Sequence, residues 1–194
     1  MNVPAVATPE ATAPAVAAPE ASPPAVAAPE ARVPQARVPQ ARVLELGASD
    51  VTVSEVIADA ADGERSIVAF LCRECAYSAA DAAGNARTPL PPTIRTIMVP
   101  CTGRVSPLHL LAALAEGADG VYVGGCLEGQ CHYREGNFHA LDRVAFVRRL
   151  LESVGVEPER AAMFTMSAAD TPRFVATARG MDATISRLPR LPRS

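Results

Sequence analysis

Five cysteines are the residues of this 194-residue chain best placed to do chemistry. Cys72 and Cys75 form a C-x2-C pair, Cys101 stands alone, and Cys126 and Cys131 form a C-x4-C pair. Converging thiols support three chemistries: disulfide stapling, dithiol exchange and metal ligation. An odd count, in a chain long enough to build an apolar core unaided, argues against structural disulfides. The C-R-E-C stretch has the placement of a thioredoxin-type dithiol, but that role leaves three cysteines idle and sets the carboxylate of Glu74 against thiolate formation. Metal ligation absorbs more of the pattern, supplying four thiolates with one to spare, and both zinc and an iron-sulfur cluster accept such a set. His132, beside Cys131, offers an imidazole as a sulfur hydrogen-bond partner or a replacement ligand. Gly103, Gly124, Gly125 and Gly129 allow close backbone approach in the same loops.

These thiols need a frame that brings distant positions together. Short β-branched runs alternate with longer alanine- and leucine-rich amphipathic stretches, which predicts an α/β fold. Strands are expected at 66–71, 94–99, 120–123 and 162–166, each an apolar run suited to a parallel sheet buried on both faces. Helices are expected at 76–83, 107–116, 140–154 and 169–179, with Ser106 and Ser167 near helix starts and Gly117 and Gly155 near helix ends. The expected fold is a small open parallel sheet of about four strands flanked by helices. In such a sheet the loops beyond the carboxyl ends of the strands share one crevice. Cys72, Cys101 and Cys126 each follow a strand, so all five thiols are expected to meet there.

Composition bounds the function. Every one of the 18 basic residues is arginine, and the missing lysine removes Schiff-base chemistry, pyridoxal-phosphate chemistry and the phosphate loop that ends in G-K-[ST]. A net charge of -3 and 4% aromatics supply neither the positive field nor the stacking surface for nucleic acid, and no apolar run is long enough to cross a bilayer. The G-G-C-L-E-G stretch lacks the G-x-G-x-x-G spacing of a nucleotide loop, and nothing fixes Asp119 and Asp142 as a catalytic carboxylate pair.

Residues 1–42 repeat a proline- and alanine-rich unit, beginning PAVATPEATA and PAVAAPEASP, and read as a disordered, extended tether. Its prolines and the lack of a basic leader argue against a secretory signal, and a cytoplasmic location is expected. Residues 43–65 read as a linker or short helix, 66–182 as the folded domain, and 183–194, with R-L-P-R-L-P-R, as a disordered basic tail.

Three stretches carry a resemblance: V-A-F-L-C-R-E-C-A-Y, then P-P-T-I-R-T-I-M-V-P-C-T-G-R-V, then G-A-D-G-V-Y-V-G-G-C-L-E-G-Q-C-H-Y-R-E-G-N. Between about Ser66 and Met181 the chain resembles the iron-sulfur delta subunit of methyl-viologen-reducing (F420-non-reducing) hydrogenase. The resemblance implies an electron-transfer subunit with a [2Fe-2S] cluster and no catalytic residues of its own. Such a subunit passes single electrons between an oxidoreductase that donates them and a heterodisulfide-reductase-A-like flavoprotein. It carries all five cysteines over as candidates for four ligand places. Cys101, Cys126 and Cys131 are expected as ligands, with one of Cys72 and Cys75 completing the set. Gly103, Arg104, Gly125, Gly129 and His132 are expected around them, where backbone N–H groups and cations tune a cluster potential. Arg73 and Glu74 depart from the polar or aromatic residues usual inside the family's first C-x-x-C. Against this stand a zinc-stabilised assembly module and the thiol oxidoreductase.

Overall fold

The computed structural model describes Ile57 and residues 64–192. Four parallel strands, β1 (Ile67–Cys72), β2 (Ile94–Val99), β3 (Gly120–Gly125) and β4 (Ala161–Thr165), form one sheet in the order β2-β1-β3-β4. The α/β expectation of an open four-stranded parallel sheet flanked by helices is met. The register pairs Ile67 with both Ile94 and Gly120, and β3 joins β4 from Val121 opposite Ala161.

Side chains alternate across the sheet, so each central strand feeds two cores. Val68 and Phe70 of β1, with Val121 and Val123 of β3, pack beneath α2 (Pro107–Ala115) and α3 (Gly136–Ser153). Ile67, Ala69 and Leu71, with Tyr122, pack against α1 (Ser78–Asn85) and α4 (Thr171–Arg187). Every residue of β1 and β3 is buried, which is why both read as unbroken apolar runs. Full burial of a Phe70 or Leu71 side chain contributes about 1.5–3 kcal/mol.

Local chemistry sets the helix ends. Ser106 caps α2 in a box with His109, whose Nδ1 accepts from the Ser106 N–H at 2.9 Å, and Pro107 follows at the first turn. Gly117 (φ +110°) and Gly155 (φ +77°) close α2 and α3 in the left-handed region. The cap of α4 is Asp170 rather than Ser167, its carboxylate accepting from the Arg173 N–H at 3.3 Å. That helix runs to Arg187, well past the end expected at 179, because Met181 and Ile185 are buried and override the glycine at 180.

The chain turns back on itself between β1 and β3: from β1 it crosses to β2 on one side, then returns to β3 on the other. This reversal opens a crevice beyond the carboxyl ends of the strands. At the opposite end, two arginines fasten the domain. Arg65 donates to the carbonyls of Ile185 (2.6 Å) and Leu188 (2.7 Å). Arg160, fully buried, donates to Glu157 Oε2 (2.8 Å), the Asp119 carbonyl (2.8 Å) and the Pro189 carbonyl. Removing it strands three acceptors and leaves a cavity. Arg160→Ala is therefore expected to lower unfolding free energy by about 3 kcal/mol, read from the urea midpoint at unchanged slope.

Candidate metal centre

The crevice at the sheet's carboxyl edge is where the cysteines lie. Cys72 is the last residue of β1, and the backbone then winds through a π-type turn, Arg73–Tyr77, that carries Cys75 back toward it. A Cβ on Gly124 of β3 would stand 2.7 Å from Leu71 Cδ2 and 2.8 Å from Ala76 Cβ, so glycine there lets the turn settle on the sheet. Cys101 follows β2 and opens a tight turn, Thr102–Arg104, whose Gly103 N–H donates to Cys101 Sγ at 3.4 Å. Cys126 follows β3, and Cys131 sits just ahead of α3.

All five cysteines are free, four of them buried and Cys131 half-buried. The Sγ atoms of Cys72, Cys75 and Cys126 lie within 4.8 Å of one another, with Cys72 and Cys126 3.8 Å apart. Cys101 and Cys131 form a second group at 3.9 Å. A metal bound to sulfur at about 2.3 Å in a tetrahedron has sulfur–sulfur edges of about 3.8 Å. Both close pairs match that edge, whereas Cys101 and Cys131 do not join the trio.

The start of α3 builds this arrangement. A Cβ on Gly136 would overlap Cys101 Sγ and lie 3.3 Å from Cys131 Sγ, and one on Gly103 would stand 2.8 Å from the Gly136 Cα. Asn137, buried, donates through Nδ2 to the carbonyls of Cys126 (3.2 Å) and Leu127 (3.1 Å), fixing the loop after β3. Arg143, two turns further on, donates through Nη1 to the carbonyls of Gly103 (2.6 Å) and Val105 (3.0 Å), fixing the loop after β2.

The thiols differ in their hold on a proton. Hydrogen bonding with Cys75 lowers the Cys72 thiol to about 6 against the opposing effect of burial, helped by the Glu74 and Thr102 backbone and by Cys126. The same bond, together with burial, pushes Cys75 far upward. Burial pushes Cys101 up to about 11, opposed by the Gly103 N–H and aided by the charge of Cys131. Burial also raises Cys126. At Cys131 burial acts upward too, but the backbone groups of Tyr133, Asn137 and Gly136 outweigh it, and its pKa is lowered. A bound cation would relieve the mutual repulsion of these thiolates and hold them deprotonated.

The structure thus places the five sequence-predicted cysteines in two groups, Cys72 with Cys75 and Cys126, and Cys101 with Cys131. Gly103 touches Cys101 directly, and Gly125 is buried beside Thr102 and Met163. Arg104, Gly129 and His132 are exposed, Gly129 at φ +70° in the turn between Cys126 and Cys131, and His132 edge-on to Tyr133. Gly136, Asn137 and Arg143 offer no metal ligand, and residue type alone does not mark them as part of the site. Their one signal was the Gly-Asn pair, poor helix formers at the head of an amphipathic helix.

A sequence model of the family described as methyl-viologen-reducing hydrogenase, delta subunit, matches residues 67–189. The chain is 46% identical over 125 residues to an F420-non-reducing hydrogenase iron-sulfur subunit of Archaeoglobus profundus, covering 64% of this chain and 91% of that protein. It is 46% identical over 118 residues to the corresponding subunit of Methanopyrus kandleri, covering 61% and 89%. It is also 44% identical over 108 residues to the A component of the ferredoxin/F420H2-dependent CoB-CoM heterodisulfide reductase of Methanosarcina acetivorans, covering 56% of this chain but 14% of that protein.

Of the two thiols with a lowered pKa, Cys72 and Cys131, only Cys131 is open to solvent. In metal-free protein, brief iodoacetamide treatment is expected to label Cys131 at least about tenfold faster than the other four, read by peptide mass spectrometry.

Proposed function

Because the chain belongs to the family of methyl-viologen-reducing hydrogenase delta subunits, we propose that it is an electron-relay subunit carrying one [2Fe-2S] cluster on four of its five cysteines. It passes single electrons between a donating oxidoreductase and a heterodisulfide-reductase-A-like flavoprotein, in the cytoplasm.

The observation that carries this reading is the pairing of the thiols. A single tetrahedral ion needs four sulfurs all at one edge length from each other. Two irons bridged by sulfide need two such pairs instead. Cys72 with Cys126, and Cys101 with Cys131, supply two pairs at 3.8 and 3.9 Å. Cys75, within 4.8 Å of both Cys72 and Cys126, is the fifth thiol beside these pairs. When bound, such a cluster supplies one-electron redox chemistry.

The protein's part is electrostatic. The N–H of Gly103 points at Cys101 Sγ, and those of Tyr133, Gly136 and Asn137 act on Cys131. These donors favour negative charge on the sulfurs, and the N-terminus of the 18-residue α3 adds its positive end. All of them raise the affinity of the site for an electron. The buried walls around Cys72, Cys75 and Cys126 keep water from that end, while the half-exposed Cys131 leaves the other end open to a partner. Tyr133 and Phe138, 52% and 42% exposed beside that opening, offer the aromatic contact surface for docking. No general acid or base is required.

The partner assignment rests on the Methanosarcina relative, in which a stretch like this chain is 14% of a heterodisulfide reductase polypeptide. A shared polypeptide keeps two electron-transfer units within reach, and separate chains achieve the same by docking.

Anaerobically prepared protein is expected to contain about two irons and two acid-labile sulfides per chain, and to give an S = 1/2 paramagnetic signal after dithionite reduction. Stoichiometric zinc with no signal after reconstitution would overturn this reading in favour of a structural zinc module.

A further inference from the structure

The two ends of the thiol cluster are unequal. Cys101 and Cys131 stand as a pair, but Cys72 and Cys126 share their end with a third thiol, Cys75, all three within 4.8 Å. Packing gives no reason for a thiol at position 75. The residue is buried in the apolar cluster on this face of the sheet, where an alanine or valine would satisfy the surroundings. Its sulfur instead meets two other sulfurs.

We propose that Cys75 is an exchange ligand: the iron at this end is bound by Cys126 and by either Cys72 or Cys75, and the two thiolates replace one another without loss of the metal. The inference rests on the cluster reading above and adds to it the identity and behaviour of the fifth thiol.

Three features support exchange over a fixed set. The competing thiols come from one end of β1 and the turn that follows it, so exchange requires no movement of the loops that carry Cys101, Cys126 and Cys131. That segment is a five-residue π turn, a wider and less favourable winding than an α-helix and one frequent at functional sites. Its outer residues, Arg73 and Glu74, are exposed and pair with each other at 3.1 Å, while Ala76 seats the turn against Gly124 of the sheet. The step balances without an electron. As the iron–sulfur bond to Cys75 forms, the bond to Cys72 breaks, and the proton of the Cys75 thiol passes to the departing Cys72 sulfur. Cluster charge and iron count are unchanged. What changes is the setting of the bound sulfur: the Pro100 carbonyl, 3.8 Å from Cys72 Sγ, accepts a hydrogen bond from Cys72 only while Cys72 is the protonated, unbound thiol. The two forms therefore differ in spectrum and potential.

The test uses the full chain, reconstituted anaerobically with iron and sulfide as wild type, Cys72→Ala, Cys75→Ala, the double variant and Cys101→Ala. Iron, sulfide and the reduced paramagnetic spectrum are measured on each. Exchange predicts that Cys72→Ala and Cys75→Ala each keep close to wild-type iron, with shifted g-values in Cys72→Ala. The double variant and Cys101→Ala are expected to bind iron at least about tenfold more weakly. Loss of the cluster in Cys72→Ala to the level of Cys101→Ala shows that Cys75 does not substitute and overturns the inference; loss in Cys75→Ala shows an obligatory ligand and does the same. Cys72→Val, which fills the site without offering a ligand atom, serves if Cys72→Ala does not fold, with the same two arms. Failure of the wild type itself to take up iron and sulfide instead overturns the cluster reading.

Discussion

Gly136 has no room for a Cβ, and the sulfur cluster is assembled around that fact. Its α-carbon touches the Gly103 backbone on one side and leaves Cys101 Sγ the space to approach on the other. With a side chain there, α3 would retreat, its first N–H groups would leave Cys131, and Asn137 and Arg143 would lose the loop carbonyls they hold. One helix start thus fixes the loops after two different strands. Buried thiols resist ionisation singly and repel one another once ionised. The free energy to hold them together comes from backbone contact and hydrogen bonding that no single loop makes alone.

The sheet supplies the other half of that constraint. β1 and β3 are adjacent and fully buried, so the residues just past their ends start from fixed positions. Because the strands are parallel, Cys72, Cys101 and Cys126 emerge at one edge, although more than fifty residues separate the first from the last. A rigid base whose loops are held by one helix start suits an electron carrier, whose centre must change charge with little rearrangement around it.

Much of this was legible in the chain, and the misses have physical causes. The bounds of β2 follow from its β-branched run, and the cysteines converge because each first thiol follows an apolar strand. Strand β1 extends through Cys72, paired with Val99, although cysteine carries no strand signal of its own. Helix α1 starts at Ser78 rather than 76 because the preceding residues wind as a π turn. Helix α3 starts at Gly136 rather than 140: its first residues are poor helix formers, and what stabilises them is contact with distant sulfurs and carbonyls. Tertiary partners of this kind leave no local pattern. His132 shows the converse, adjacent to Cys131 in sequence yet turned to solvent. The tether and linker expected at 1–42 and 43–65 fall outside the described residues except at Ile57 and at Glu64 and Arg65, and the basic stretch after 183 is helical to Arg187 and then held by Arg65 and Arg160.

The arginine fastening has an architectural consequence. Arg65 precedes β1, Arg160 precedes β4, and both grip the chain just past α4, so the domain's entry and exit are tied together at the pole away from the sulfurs. A unit built this way is portable. It can be spliced into a longer polypeptide or stand as a separate chain with the same exposed working face, because either junction enters from behind.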